Sequence, residues 1–477
     1  MNNLNFLVDV LKESPVFKTL EKNVKPGRTV CASGLSTINK SNIIYALCRL
    51  KGVTAFCLAS DEKEAQTLCN DLSCMGLRAY VYPVRDFNFL DFQSRSHEYE
   101  HARLKVLLKL LNHECDVAIA CVDAAAQLTV PRNVLEQSVI EFEEGRELSL
   151  EKATKALTLL GYERFDAVEG SGQFSLRGGI LDFFMPDSDY PVRCEFWGDE
   201  ITDLSYFDIE TQRRFKKADK ITLSPSTEIV IEDRAALADK IEHKAKLLRS
   251  KNSAKAKEKL FSEAELIRSG AMIANADKFI NQIYDKPESL FDYLDRNTLV
   301  FASEFTAIQE RGKSMDFISN ETLMQGFEDG SLCRGFDRFA LTFNECTEFL
   351  QSHGTIVLEN FVHGSMPIKL SEIISFSTKQ LSAGGGSYKQ LKEDVDGLFT
   401  PESKGVIFAG TERAAKNLCD TFNADGINAV YSEGADKISK GDLLVMQGAL
   451  SAGFEYPSQK IFAITYSQVS YRREKSK

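Results

Sequence analysis

The stretch Pro191-Val192-Arg193-Cys194-Glu195-Phe196-Trp197-Gly198-Asp199-Glu200-Ile201 alternates with a period of two. In a strand that period puts Val192, Cys194 and Phe196 on one face and Arg193, Glu195 and Trp197 on the other. The first set is core-like, and Gly198-Asp199 suits a tight hairpin turn into the next strand. The second set places the only tryptophan of the chain beside a guanidinium on the polar face. Trp and Arg dominate binding hot spots, and an exposed large aromatic does nothing for packing. A structural use is equally open on pattern alone: Trp197 can cap the core of a small sheet, with the arginines paired to Glu195 or Asp199.

Immediately upstream, Gly172-Gln173-Phe174-Ser175-Leu176-Arg177-Gly178-Gly179-Ile180-Leu181-Asp182-Phe183-Phe184 alternates in the same way, with Arg177 opposite in sense to Phe174 and Leu176 and therefore outward. This rhythm holds from about 139 to 223 and predicts a small, mainly antiparallel module. Further out the pattern changes. Strand-like runs at 29–32, 54–59, 79–82 and 117–121 alternate with helical ones at 41–50, 63–75 and 101–111, as in a parallel, wound α/β sheet. Residues 237–282 are helical, and their Lys-rich and Glu-rich faces suit a solvated helix pair better than a nucleic-acid patch. Strand character returns at 299–303 and 355–359, so the first sheet resumes after an insertion. Ala383-Gly384-Gly385-Gly386-Ser387 breaks the pattern before a helix at 388–399, and a further α/β alternation runs to about 465. The expected division is an α/β domain made of 1–135 and 226–365, an inserted module at 136–225, and a small α/β domain at 366–477.

The bulk properties agree with several packed domains: 477 residues, 43% of them hydrophobic. The formal charge of -11 argues against a chain whose main partner is DNA, which calls for a basic face, so any DNA role is local or indirect. The start, Met1-Asn2-Asn3-Leu4-Asn5-Phe6-Leu7, lacks the features of a secretion signal and no run of about 20 apolar residues occurs, so a soluble cytoplasmic protein is expected. Eleven cysteines without a C-x-x-C pair suit reduced, buried thiols rather than disulfides or a zinc finger.

Two further motifs bear on chemistry. Gly34-Leu35-Ser36-Thr37-Ile38-Asn39-Lys40-Ser41 follows a predicted strand and opens a predicted helix, the context of a phosphate loop G-x-x-x-x-G-K-[ST]. In a working loop the second glycine lets backbone N–H groups wrap the phosphates, while Lys and Ser handle the terminal phosphate and magnesium. Here Asn39 replaces that glycine; Asn tolerates left-handed backbone, so nucleotide binding stays open. The strand that should supply a metal-holding acid ends in Asp123 alone, which points to a decayed, non-hydrolysing loop. His97-Glu98-Tyr99-Glu100-His101 formally matches the zinc motif H-E-x-x-H, but no third ligand is identifiable, and coincidence on a solvated helix is the better reading. Neither a metal nor a catalytic residue is expected.

The run 168–184, together with Arg193-Cys194-Glu195-Phe196-Trp197-Gly198-Asp199-Glu200-Ile201 and Phe207-Asp208-Ile209-Glu210-Thr211-Gln212-Arg213-Arg214, resembles the domain that the transcription-repair coupling factor family, Mfd, shares with UvrB. Ala32-Ser33-Gly34-Leu35-Ser36, Tyr82-Pro83-Val84-Arg85-Asp86 and Gly448-Ala449-Leu450-Ser451-Ala452-Gly453-Phe454-Glu455-Tyr456-Pro457 extend the resemblance over essentially the whole chain, against the front half of the family's protein. The resemblance implies a helicase-like, P-loop NTPase-type α/β sheet interrupted by a UvrA-binding domain and followed by a small α/β domain. It implies UvrA contacts at Arg177, Arg193 and Trp197, where the family more often has Phe, and a degenerate nucleotide loop at Gly34, Asn39, Lys40 and Ser41. It implies a non-catalytic scaffold in nucleotide excision repair that needs no cofactor. ATP, magnesium, double-stranded DNA and RNA polymerase belong to the family's later translocase and polymerase-binding parts, with which the UvrA-binding domain makes an intramolecular contact. UvrB, a DNA-dependent ATPase of helicase type, is the alternative; its intact phosphate loop and damage-probing hairpin are not found here.

Overall fold

Runs such as Ala55-Phe56-Cys57-Leu58-Ala59 and Val117-Ala118-Ile119-Ala120-Cys121 carry no charge to present to water, and they form strands buried on both faces. In the computed structural model, which describes residues 4–85, 98–249, 253–270, 276–361, 366–381, 384–385 and 387–467, the chain begins with two short helices and then lays down β1 (Val30–Ser33), β2 (Ala55–Ala59), β3 (Ala79–Tyr82) and β4 (Val117–Cys121). Helices Thr37–Lys51, Glu62–Cys74 and Glu98–Leu111 connect them.

The inserted module follows, with β5 (Ile140–Glu143), β6 (Glu163–Arg164), β7 (Gln173–Arg177), β8 (Ile180–Phe183), β9 (Val192–Trp197), β10 (Glu200–Phe207), β11 (Arg214–Lys217) and β12 (Lys220–Leu223). Strands β6 to β11 form one sheet in sequence order, antiparallel except for the β6–β7 pair, and β5 pairs with β12. The module has its own core, where Phe142, Leu157, Phe174, Phe183, Cys194, Phe196 and Leu204 meet. A pair of helices, Arg234–Leu247 and Ser253–Ser269, comes next, as expected.

The chain then re-enters the first sheet with β13 (Leu299–Ser303), β14 (Thr355–Glu359) and β15 (Glu372–Ser375). Its order is β15-β1-β14-β13-β2-β4-β3, and every pair is parallel. Two of its central strands therefore come from beyond the insertion. The strand β15 lies past the expected division at 365/366 and still belongs to this sheet.

The remaining strands are β16 (Lys379–Leu381), β17 (Gly384–Gly385), β18 (Lys404–Phe408), β19 (Val430–Tyr431), β20 (Leu443–Met446), β21 (Gly453–Tyr456) and β22 (Ile461–Ser467), and they build a mixed sheet around a parallel centre. One apolar cluster joins this sheet to the first, since Phe408, Met446, Phe454 and Tyr456 pack with Ile38, Ile43 and Leu47. Helix Thr37–Lys51 is thus covered on all sides, and every residue from 38 to 48 is buried. No described helix is long and apolar enough to cross a membrane, and all eleven cysteines are free thiols.

Candidate functional site

The helix after β1 begins at Thr37, four residues before the expected start at 41, and leaves only Gly34-Leu35-Ser36 as loop. Gly34 has φ +79°, and a Cβ there would lie 2.2 Å from the Phe376 carbonyl oxygen, which explains the glycine without any ligand. The N–H groups of Gly34 and Leu35 donate to the carbonyls of Asn360 and Glu359, at 3.2 and 3.1 Å, and the N–H of Lys40 enters the helical ladder on Ser36. Two loop donors, the N–H groups of Gly34 and Leu35, are therefore turned onto the protein's own chain, while Ser36 makes no side-chain capping bond to the first turn of the helix. The left-handed conformation considered for Asn39 is corrected: Asn39 is helical and wholly buried, and its Oδ1 accepts from Ser36 Oγ at 2.6 Å.

The Lys40 side chain is 2% exposed, and all three of its N–H donors have partners: Glu304 at 2.6 Å, Ser303 at 2.9 Å and Glu64 at 3.2 Å. Burial pushes the Glu64 carboxyl up, but Lys40 and the hydroxyls of Ser303 and Ser60 outweigh it and hold it below its ordinary value. Glu359 stands fully buried in the same cluster. Its burial, reinforced by the neighbouring Glu304, raises its carboxyl. Ser41 Oγ bonds Thr37 O and Asp71 Oδ2, while Asp71 also accepts the N–H and hydroxyl of Ser451 from the last unit, each at 2.7 Å. Asp123, the lone acid after β4, is held bidentately by Arg311 at 2.9 and 2.7 Å. Of the four loop residues only Lys40 enters the buried lysine–carboxylate cluster; Gly34 lies against Phe376, Asn39 bonds Ser36, and Ser41 bonds Asp71.

Of the formal zinc motif, His97 lies outside the described residues. His101 Nε2 hydrogen-bonds Ser226 Oγ at 3.2 Å, and Glu100 receives Thr227 and the Glu228 N–H. Both serve the junction between helix Glu98–Leu111 and the segment after β12. Among the described residues no group of three or more His, Cys, Asp or Glu side chains is arranged to hold a metal ion.

On the inserted module the alternation holds as read. Val192, Cys194 and Phe196 are buried, and Trp197 is 82% exposed at the tip of the β9–β10 hairpin, where Gly198 takes φ +62°. Trp197 does not cap the core. On the outer face the register aligns Ser175, Asp182, Arg193 and Ser205 in one row and Arg177, Ile180, Glu195 and Asp203 in the next. Arg177 and Arg193 converge on Asp182, a carboxylate 1% exposed, rather than on Glu195 or Asp199. Glu195 instead pairs with Arg214, which also reaches Asp203 at 2.9 Å. Arg193 is tightly enclosed, 4.4 Å over the Phe207 ring and bonded to Gln212, and its hydrogen bond to Asp182 raises its pKa further. Arg177 is half exposed. Asp182, Phe207 and Gln212 escaped the sequence reading. The outward parity of Asp182, between Leu181 and Phe183, was the available signal.

The inserted module, eight strands of which six form one sheet with a solvated aromatic at a hairpin tip, is the part of the chain that the family model of the UvrB interaction domain matches, at residues 140–229. Along 98% of its length the chain is similar to the transcription-repair-coupling factor of Bacillus subtilis (strain 168), at 26% identity over 481 residues. Similar matches reach the transcription-repair-coupling factors of Staphylococcus epidermidis (strain ATCC 12228 / FDA PCI 1200), 25% identical over 83% of this chain, and Staphylococcus aureus (strain MRSA252), 22% identical over 99%. The chain spans 40%, 34% and 41% of these relatives' lengths. It is thus similar to the N-terminal portion of a transcription-repair coupling factor.

Proposed function

We propose that this chain is the UvrA-recruiting, non-catalytic part of a transcription-repair coupling factor, acting in nucleotide excision repair of transcribed DNA. The observation that carries this reading is the solvated Trp197, on the same face as the half-exposed Arg177, in a module similar to a UvrB interaction domain. An indole held in water adds nothing to the module's core, while an aromatic anchor beside a cation suits a partly apolar, partly acidic partner patch. The first domain is proposed as a helicase-type frame whose phosphate loop has become a structural lock. A polyphosphate would have to strip Glu64 and Glu304 from Lys40 and bring its own charge against Glu359, which favours a scaffold over a hydrolase. RNA polymerase, double-stranded DNA, ATP and magnesium, and an internal partner for the module, are assigned in this proposal to the part of the relatives that this chain does not span.

Titration calorimetry with purified UvrA tests it. Trp197→Ala is expected to weaken binding by about 2 kcal/mol, roughly thirtyfold. An unchanged dissociation constant would remove the site assignment. DNA-stimulated phosphate release that disappears in Lys40→Ala would replace the scaffold with an ATPase.

A further inference from the structure

The carboxylate of Asp182 sits mid-strand in β8, 1% exposed, where an unpaired charge is strongly disfavoured. Arg193 grips it with two bonds, Nε to Oδ1 at 2.7 Å and Nη2 to Oδ2 at 2.8 Å. Arg193 is fixed in turn by Gln212, whose carbonyl accepts from Nη1 at 3.1 Å and whose Oε1 accepts from Nη2 at 3.2 Å. Gln212 holds φ +57°, a left-handed backbone conformation uncommon for a side-chain-bearing residue, in the loop that folds back over the sheet between β10 and β11. Four of the five N–H donors of Arg193 are thereby taken, and its side chain is 13% exposed. Arg177 is the opposite case. It donates Nη2 to Asp182 Oδ2 at 2.8 Å, is half exposed, and keeps Nε and Nη1 without a partner among the described residues.

We infer that Asp182 is the positioning residue of the docking face and that Arg193 acts through it. The buried Arg193–Asp182 pair is a platform that holds the Arg177 guanidinium on the same face as Trp197, and Arg177 and Trp197 are the groups that meet the partner. This rests on the reading of that face as the UvrA-docking surface and divides its labour. It also specifies the chemistry opposite: a carboxylate for the open fork of Arg177, beside apolar surface for the indole. Holding a long side chain in its bound geometry before contact lowers the cost of association.

Asp182→Asn separates positioning from charge because the two effects have opposite signs. Removing a negative charge makes the face more positive, so attraction alone would tighten binding to an acidic patch; loss of the platform frees Arg177 and weakens it. In calorimetric titration with UvrA the expected result is a loss of about tenfold. The loss should vanish when Asp182→Asn is made in an Arg177→Ala background, where nothing remains to position. Tighter binding, or an equal loss in both backgrounds, overturns the inference. Nitrogen-15 exchange measurements on the unsubstituted chain give a second arm, with slow exchange expected at Arg193 Nε–H and fast exchange at Arg177 Nε–H. Fast exchange at Arg193 overturns the platform even if Asp182→Asn does not fold. If the unsubstituted chain does not bind UvrA, the docking reading falls and the exchange arm alone decides the platform.

Discussion

Replacing Lys40 by methionine removes the cation from a cluster in which it is 2% exposed and joined to Glu304, Glu64 and Ser303. Methionine fills nearly the same volume, so the cost is electrostatic rather than a cavity. Glu64 and Glu304 remain with 10% and 26% of their side chains exposed, next to the fully buried Glu359. Stripping one member from a buried pair costs about 3–5 kcal/mol, because an uncompensated charge stays in a low-dielectric place. Glu304 can draw on some water, and Glu64 keeps the N–H and hydroxyl of Ser60, so the lower end, about 3 kcal/mol, is expected. For a unit of this size that corresponds to a fall of about 6–12 °C in Tm. Scanning calorimetry of the purified chain measures it. Adding Glu304→Gln to Lys40→Met should recover part of the loss by removing one stranded charge. A working phosphate loop predicts the reverse, since its lysine faces solvent and ligand: Tm would hardly move, and ATP would stabilise the unsubstituted chain but not the variant. Either of those results refutes the lock.

Burial, reinforced by Glu304, raises the Glu359 carboxyl from 4.5 to about 7. A group whose folded value lies above its unfolded one contributes stability that is present at low pH and lost as pH rises through the folded value. Stability should therefore decline between about pH 5 and 8, and Glu359→Gln, which keeps an acceptor for the Phe305 N–H, should flatten the decline; an unaltered slope in urea titrations would count against it. Arg103 is fully buried and donates to Glu228 at 2.6 Å, Gln127 at 2.7 Å and the Pro83 carbonyl at 3.0 Å. Arg103→Met should cost about 3 kcal/mol or more. Because Glu228 follows β12, the variant should also speed limited proteolysis near the junction of module and first domain, whereas an unshifted midpoint and cleavage pattern would show the node to be dispensable.

Alternation along a strand is a local property, so the sequence alone was enough to separate the buried Val192, Cys194 and Phe196 from Trp197 and to place Arg177 outward. Two-residue turns at 178–179 and 198–199 likewise set the register inside each hairpin, which made the pairing of Ser175 with Asp182 legible in principle. The uncharged runs of β2 and β4 announced strands covered on both faces, and the insertion and the return of β13 and β14 could be read from the change of rhythm. Other features depended on long-range contact. The pairing of β8 with β9 spans an irregular connection, and only that pairing brings Asp182 to Arg193 in place of the carboxylates nearer in sequence. Likewise Gly34-Leu35-Ser36-Thr37-Ile38-Asn39-Lys40-Ser41 reads as strand, loop and helix. The partners of this segment inside the protein were decided by Glu304, Asn360, Phe376 and, through Asp71, Ser451, which chain folding brings from far along the sequence. The sequence determined which faces are apolar, because sterics and side-chain period act over a few residues; tertiary structure decided which charges meet, because ion pairing depends on distance in space and not along the chain.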